Sequence, residues 1–230
     1  MLTPIAVCRA GRRLTGIARA GESWAAAARR IIGRPAYAID LSGEVKEFGA
    51  DEWPVVTLRP MVRGDLPLLG RWLRQEHVRP WFEADGEPTP ERVADQYGPA
   101  VDGDDPTNLW VAEVNGRSVG MAQDYRISDN PEYALLTPDP DAVGFDYLVG
   151  EPAWVGRGVG TRMLWSLVTG LRARYDGATA AFAAPDHRNA ASLRVLAKIG
   201  CTQGTWFDEP QPDGTVTTMI GCTLDLRAVT

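Results

Sequence analysis

The sequence has few of the residues on which disulfide-bonded, metal-binding or membrane-spanning proteins depend. It contains three widely spaced cysteines and two histidines, with no CxxC or paired-histidine spacing, so we expect neither a disulfide framework nor a metal site. No apolar run reaches the roughly 18 residues of a membrane helix. The N-terminal stretch MLTPIAVCRAGRR carries its positive charges after its apolar residues, the wrong order for a secretory signal. These absences predict a cytoplasmic protein without a membrane partner.

Positive charge is also scarcer than negative charge, and the net charge is −6. Such a surface would repel nucleic-acid phosphates, so we expect no nucleic-acid partner. A negative protein suits a cationic ligand, although the same charge is common among proteins that bind none.

The 230 residues are enough for one substantial core and an accessory element. We place the boundary at Trp53–Pro54, with an accessory extension at 1–52 and the main domain at 53–230. The extension is predicted as strand–helix–strand: a strand at Leu14–Arg19, a helix within 22–33 and a return strand within 36–41. It shows no chemistry, so packing or dimerisation is its predicted role. The protein is accordingly predicted to be a monomer or a homodimer.

The main domain is predicted to be α/β (α+β mixed), a mixed sheet with helices on its faces. Its elements follow the order strand, two helices, three strands, helix, strand, helix and two strands, unlike a doubly wound sheet. Thr89 and Pro90 mark the start of the second helix, as N-cap and first helical residue. Alternating apolar strands flank Asn115-Gly116 and predict a hairpin with a type I′ turn.

Three alternate glycines, Gly156, Gly158 and Gly160, lie between a predicted strand and a predicted helix. Unpaired N–H groups and the dipole at a helix start attract anions, and glycine lets a bulky anion approach the main chain. Arg157 and Arg162 add positive charge. The spacing is G-x-G-x-G, without GK[ST], which disfavours dinucleotide and P-loop sites. The stretch predicts pyrophosphate binding; the alternative is an ordinary glycine-rich turn.

The segment VGRGVGTRML resembles the acetyl-coenzyme A pyrophosphate loop of the GNAT acyltransferases, with Val155 where that pattern has Arg or Gln. PDHRNAASLRVLAKIGC is similar to the later helix of the family, which would place Asn189 near the pantetheine arm. The resemblance runs from Val55 to the C-terminus. It implies the GNAT fold, a mixed and mostly antiparallel sheet flanked by helices, with acetyl-CoA as co-substrate and no metal. The coenzyme-binding residues that it implies are Leu148, Val149, Val155, Gly156, Arg157, Gly158, Val159, Gly160, Thr161 and Asn189.

Within that superfamily, three segments are similar to aminoglycoside 6′-N-acetyltransferases. They are the W-L-x-x-x-H-V-x-x-W cluster that starts at Trp72, the hairpin NGRSVGMAQDY and the strand GFDYLVG. A sister group that acetylates siderophore precursors has His-Leu-Leu on this strand, where this chain has Asp146-Tyr147-Leu148. The resemblance therefore implies acetyl transfer to the 6′-amine of an aminoglycoside, hence antibiotic resistance. Two alternatives are an acetyltransferase for another amine, such as a lysine-type siderophore precursor or a protein N-terminus, and a non-catalytic coenzyme A-binding module.

Asp146 matches the proposed catalytic aspartate of that group. An ammonium ion has no lone pair, so the acceptor must lose a proton before it attacks the thioester, and a carboxylate can assist. Backbone N–H groups near Leu148 and Val149 would polarise the thioester carbonyl. The alternative is an aspartate that pairs with a nearby arginine.

The acceptor would need acidic and aromatic surface, since aminoglycosides are polycations built on sugar rings. The predicted substrate-binding residues are Trp81, Gln123, Tyr125, Asp129, Glu132 and Asp141. The last three belong, with Asp139, to a loop that would form an anionic wall or would be merely solvated. His77 is either an acceptor-side residue or a packing residue, and His187 has no predicted role.

Two residues depart from the family pattern. Leu196 stands where a tyrosine often protonates the departing thiolate, and Ala184 stands where aminoglycoside enzymes often carry an acceptor-binding aspartate. The resemblance therefore supports acetyl-CoA more strongly than the antibiotic substrate.

Overall fold

The computed structural model describes four short strands within residues 1–50 and, beyond them, residues 56–82, 86–129, 139, 141–211 and 214–229. Strand β1 (Thr3–Arg9) pairs antiparallel with β2 (Arg12–Ala18), and β3 (Tyr37–Ala38) pairs with β4 (Lys46–Glu47). The predicted strand at Leu14–Arg19 overlaps β2, and the predicted return strand contains β3. The predicted helix within 22–33 lies outside the described residues, and strands β1 and β4 were not predicted.

A seven-stranded sheet forms the centre of the main domain, in the order β10-β11-β9-β8-β7-β6-β5. Every neighbouring pair is antiparallel except β8 and β9, which run parallel. This confirms the predicted mixed, mostly antiparallel sheet. The strands are β5 (Val56–Pro60), β6 (Asn108–Val114), β7 (Arg117–Arg126), β8 (Val143–Val149), β9 (Ala180–Ala183), β10 (Thr202–Pro210) and β11 (Val216–Asp225).

Five α-helices accompany this sheet in the described part of the chain: α1 (Leu66–Leu73), α2 (Arg79–Phe82), α3 (Pro90–Asp102), α4 (Val159–Arg174) and α5 (Ala190–Ile199). The Thr89 side chain accepts a hydrogen bond from the N–H of Arg92, as expected of an N-cap. The one-turn helix α2 was not predicted, because four residues are too few to show a helical period.

The hairpin between β6 and β7 has the predicted turn. Asn115 and Gly116 both have positive φ, 50° and 74°, as a type I′ turn requires. Asparagine and glycine tolerate this left-handed conformation better than other residues, which is why the pair is a strong hairpin signal.

The two faces of the sheet carry separate cores. One face packs against α1 and α3 and contributes buried residues such as Met121 and Leu148. The opposite face packs against α4 and α5 and contributes residues such as Phe145 and Ala122. Because side chains alternate along a strand, Asp146 lies on the same face as Leu148.

Strands β8 and β9 separate soon after they meet. They pair only at Val143 with Ala181 and at Gly144 with Phe182, whereas β8 pairs with β7 along its whole length. The edge of β8 from Phe145 to Val149 therefore borders a notch in the sheet. This notch, between two parallel strands that diverge, positions the candidate site.

Candidate active site

The glycine turn before α4 is built on two left-handed residues. Gly156 and Gly158 have φ values of 73° and 76°, and Gly158 is the N-cap of α4. A Cβ added at either would meet no atom within 4 Å. Glycine is thus required there by the backbone conformation, and the space beside it is open.

The start of α4 offers polar groups that suit an anion. Arg162 is half-buried, and desolvation lowers its pKa to about 10, so a nearby negative charge would favour its cationic form. The hydroxyl oxygen of Thr161 is buried without a hydrogen-bond partner among the described residues. The Arg157 guanidinium lies 6.0 Å from the centre of the Trp154 ring. Together with the free N–H groups of the helix start, these residues fit a pyrophosphate.

The main chain of β8 presents one of its two predicted amides to the notch. The Gly150 N–H donates to the Val119 carbonyl of β7 at 2.9 Å, and hydrogen-bonding direction alternates along a strand. The N–H of Val149 therefore points away from β7, toward the notch, whereas the N–H of Leu148 points toward β7. His77 places Nε2 2.8 Å from the Val149 carbonyl oxygen, so its ring lies at the same edge.

Asp146 is held by two predicted acceptor-site residues. Its Oδ2 accepts hydrogen bonds from Gln123 Nε2 at 2.9 Å and from the Tyr125 hydroxyl at 3.3 Å. Gly144 allows this arrangement, because a Cβ there would lie 2.4 Å from the Tyr125 ring. Asp146 is half-buried. Its carboxylate is oriented and still accessible.

A cleft of about 370 Å³ opens beside Asp146. Trp81 and Phe82 from α2 and Met219 from β11 provide apolar surface. The polar and charged lining consists of Asp146, Tyr147, Asp186, Arg188, Asn189, Ser192, Glu209, Gln211, Thr215 and Thr217. Among the residues that the structure describes, the cleft thus brings together three carboxylates and one arginine, with Trp81 and Asn189 among the residues predicted from the sequence.

The carboxylates of the cleft differ from those predicted. Asp129 and Asp141 are exposed and do not line it, and Glu132 lies outside the described residues. Asp139 accepts hydrogen bonds from the N–H of Asp141 and from Thr179 Oγ1 instead. The described carboxylates that line the cleft beside Asp146 are instead Asp186, in the turn after β9, and Glu209, near the end of β10.

Two hydroxyl groups meet between β8 and the first turn of α5. The Tyr147 hydroxyl lies 3.0 Å from Ser192 Oγ, and burial raises its pKa, so the phenol is protonated at neutral pH. Asn189 accepts a hydrogen bond from the Ser192 N–H and caps α5. Leu196, at the position where the family often has tyrosine, is 1% exposed and packs in the core.

No metal-binding cluster accompanies these groups: among the residues that the structure describes, none forms a group of three or more His, Cys, Asp or Glu side chains suited to a metal ion. None of the described helices is long and apolar enough to span a bilayer. The site therefore consists of an anion-binding helix start, a notched sheet edge and an acidic cleft with an oriented carboxylate. This combination fits an enzyme that transfers a group from a phosphate-carrying donor.

Comparison with known proteins identifies the class more closely. The family described as "Acetyltransferase (GNAT) domain" matches residues 61–209. The aminoglycoside N(6′)-acetyltransferases type 1 of Klebsiella pneumoniae and Serratia marcescens are each 30% identical over 168 residues, 72% of this chain and 82% of theirs. Aminoglycoside acetyltransferase AAC(6′)-Ib in complex with coenzyme A superposes with a TM-score of 0.64 and 28% identity, over 75% of this chain and 96% of that one. Its complex with coenzyme A and kanamycin gives the same values.

The chain belongs to the GNAT acetyltransferase family. This membership confirms the predicted fold and the prediction of an acetyl-CoA-dependent enzyme that acetylates an amine. The individual site residues stay predictions, which the geometry above supports to different degrees.

Proposed function

We propose that this enzyme acetylates a primary amine of an aminoglycoside, most specifically the 6′-amine, with Asp146 as the group that accepts the proton. The observation that carries the proposal is the Asp146 carboxylate, held by Gln123 and Tyr125 at the edge of the notch and facing an acidic cleft. The relatives named aminoglycoside N(6′)-acetyltransferase support the same acceptor class.

The coenzyme would be held at the glycine turn, with its pyrophosphate on the N–H groups of the α4 start and beside Arg162. Acetyl-CoA supplies an activated acetyl group and a thiolate leaving group. The notch between β8 and β9 gives the pantetheine arm a path to Asp146, and the Val149 N–H is placed to donate to the thioester carbonyl.

The chain's own chemistry begins with the acceptor ammonium in the cleft. Asp146 accepts a proton from it, directly or through water, and frees the lone pair. The amine nitrogen then bonds to the acetyl carbon as the carbon–sulfur bond breaks and sulfur keeps the bonding pair. As the amide forms, the nitrogen releases its second proton, which passes through water to the thiolate, while the first proton leaves Asp146 for solvent. Tyr147 and Ser192 are the hydroxyl donors of the notch, and we assign to them the hydrogen bonds that stabilise the thiolate until it takes a proton.

The charge of the cleft favours a cationic acceptor. Among its described lining residues, three carboxylates accompany one arginine, in keeping with the overall charge of −6. Trp81, 38% exposed, provides a flat apolar surface of the kind on which sugar rings pack. Ala184 also lines the cleft; without a carboxylate at this position, a smaller amine is the second candidate acceptor.

An acceptor screen tests the proposal. Purified enzyme and acetyl-CoA are mixed with kanamycin, with a kanamycin derivative blocked at the 6′-amine, and with lysine-type amines, and thiol release is measured. We expect rapid release with kanamycin and little with the blocked derivative. Faster turnover of the lysine-type amines would assign the enzyme to the second candidate. Coenzyme binding without turnover of any amine would indicate a binding module.

We also propose that residues 1–52 are an accessory extension outside the catalytic unit. The family match begins at residue 61, and every described site residue lies beyond it. A protein that starts near Asp51 should therefore keep kcat within about twofold if it is folded. Loss of all activity in a folded truncated protein would show that the extension helps to build the acceptor cleft.

A further inference from the structure

The turn between β9 and α5 places an ion pair on the wall of the acceptor cleft. Arg188 donates from Nη2 to Asp186 Oδ2 at 2.6 Å and from Nε to Oδ1 and Oδ2 at 3.0 and 3.1 Å. Both residues line the cleft beside Asp146. Within the part of the cleft lining that the structure describes, the pair thus joins the one arginine to one of three carboxylates.

The carboxylate of Asp186 is positioned without the guanidinium. Its Oδ1 accepts a hydrogen bond from the backbone N–H of Arg188 at 2.7 Å. The turn is fixed to β11, because the N–H of His187 donates to the Thr218 carbonyl at 3.0 Å. Asp186 would therefore keep its place if the Arg188 side chain moved away.

The two partners differ in solvent exposure. The side chain of Asp186 is 9% exposed, whereas that of Arg188 is 64% exposed. An exposed arginine gains little from one fixed ion pair and can return to water at small cost. A carboxylate that is mostly desolvated needs a cation beside it, whichever molecule supplies that cation. The pair is therefore suited to exchange one cation for another.

We propose that Asp186 is a second acceptor-binding carboxylate and that the acceptor displaces Arg188 from it. The cleft would then favour acceptors with two or more positive charges. The inference rests on the proposed function, since it takes this cleft as the acceptor site. One amine of the acceptor meets Asp146 and reacts, and a second ammonium replaces Arg188 on Asp186. An acceptor with a single positive charge leaves the ion pair between Arg188 and Asp186 intact and gains no binding energy from Asp186.

The chain provides a matched control for this pair. Arg227 donates to Asp225 from its backbone N–H, Nε and Nη2, each at 2.9 Å, which repeats the spacing and bonding of Asp186 and Arg188. Asp225 pairs with Ala180 at the start of β9, whereas the cleft begins at its end, at Ala183. Arg227→Gln thus removes the same charge from the same local motif outside the cleft.

Calorimetric binding in the presence of coenzyme A tests the proposal, with kanamycin as the multiply charged probe and cyclohexylamine as the singly charged one. We expect Arg188→Gln to tighten kanamycin binding by about fivefold, the upper range for an exposed pair, and to leave cyclohexylamine unchanged. Asp186→Asn should weaken kanamycin binding and remove the gain from Arg188→Gln. Arg227→Gln should change neither dissociation constant.

The proposal is overturned if Arg188→Gln and Arg227→Gln have equal effects, if both probes tighten alike, or if wild-type enzyme binds kanamycin no better than cyclohexylamine. Because the readout is binding, it separates this inference from the proposed function. The expected pattern without acetylation of kanamycin would refute only the function. Acetylation without the pattern would refute only the role of Asp186 and Arg188.

Discussion

Two aspartates lie almost side by side on neighbouring strands but have different surroundings. Asp124 of β7 is opposite Phe145, and Asp146 of β8 is opposite Gln123, so the two carboxylates point to opposite faces of the sheet. Asp124 is fully buried, whereas Asp146 is half-buried and lines a cleft.

The surroundings of Asp124 are those of a structural charge. Its two oxygens accept hydrogen bonds from Asn108, Trp110, Arg174 and Tyr175, at distances from 2.7 to 3.3 Å. Such a network offsets the cost of burying a charge and links β6, β7 and the end of α4. Asp146 is instead oriented by two neutral side chains at an accessible edge. Burial and the nature of the donors, more than the residue type, separate a structural aspartate from a candidate base.

The largest expected effect is on turnover, from Asp146→Asn. The substitution keeps the shape but removes the basicity, and general-base assistance is typically worth about 10²–10⁴-fold, so kcat for a 6′-amino aminoglycoside should fall at least about 10²-fold. The Michaelis constant for acetyl-CoA should stay nearly constant, because the proposed pyrophosphate site lies elsewhere, at the start of α4. Higher pH should partly restore activity by supplying free amine. Steady-state kinetics against pH measure both effects, and a wild-type kcat and profile would make the carboxylate structural.

The converse expectation is that Asp124→Asn affects stability and spares turnover. The amide leaves Arg174, 26% exposed, without its counter-charge, and it puts N–H donors against other donors. We expect the free energy of unfolding to fall by about 2–3 kcal/mol, measured by urea denaturation. The folded variant should keep kcat within about threefold. A large loss of kcat in folded protein would erase the contrast between the two aspartates.

Two glycines allow a similar comparison, because they share a left-handed backbone conformation but lie in different parts of the molecule. Gly158 precedes α4 with φ of 76°, and Gly103 follows α3 with φ of 83°; neither has an atom within 4 Å of an added Cβ. Valine at either position suffers the same backbone strain. If pyrophosphate binds at the α4 start, Gly158→Val should weaken coenzyme A binding more than tenfold, while Gly103→Val should lower only stability. Equal calorimetric dissociation constants for the two folded variants would remove the turn from the site.

Features set by neighbouring residues were accessible from the sequence. The hairpin at Asn115-Gly116, the cap at Thr89 and the glycine turn each depend on local backbone chemistry, and the structure contains all three elements. Helix α2 was missed because it is a single turn. The family resemblance named Gln123 and Asp146 as site residues, and the strand register, which sets them opposite each other, explains their hydrogen bond.

Two acids of the cleft, Asp186 and Glu209, could not be found in this way. Asp186 and Glu209 come together only because the β9–α5 turn and the β10–β11 hairpin fold onto one end of the sheet. Asp186 stands in the segment that resembles the later helix of the family, but the resemblance assigned it no role, and the acid-rich loop at 128–141 gave a stronger local signal. Where carboxylates converge is a property of tertiary packing, which composition and spacing do not record.

The smallest expected effects come from removing one hydroxyl beside each aspartate. Tyr125 donates to Asp146 at 3.3 Å and Tyr175 donates to Asp124 at 2.8 Å. Tyr125→Phe should lower kcat about three- to tenfold, because Asp146 loses one of the donors that orient it, and should change stability little. Tyr175→Phe should lower the free energy of unfolding by about 1 kcal/mol, the usual net worth of a hydrogen bond, and should leave kcat unchanged. Kinetics and denaturation on both variants decide the matter. If the two phenylalanine variants shifted the same quantity, the two aspartates would not have the separate roles argued for them here.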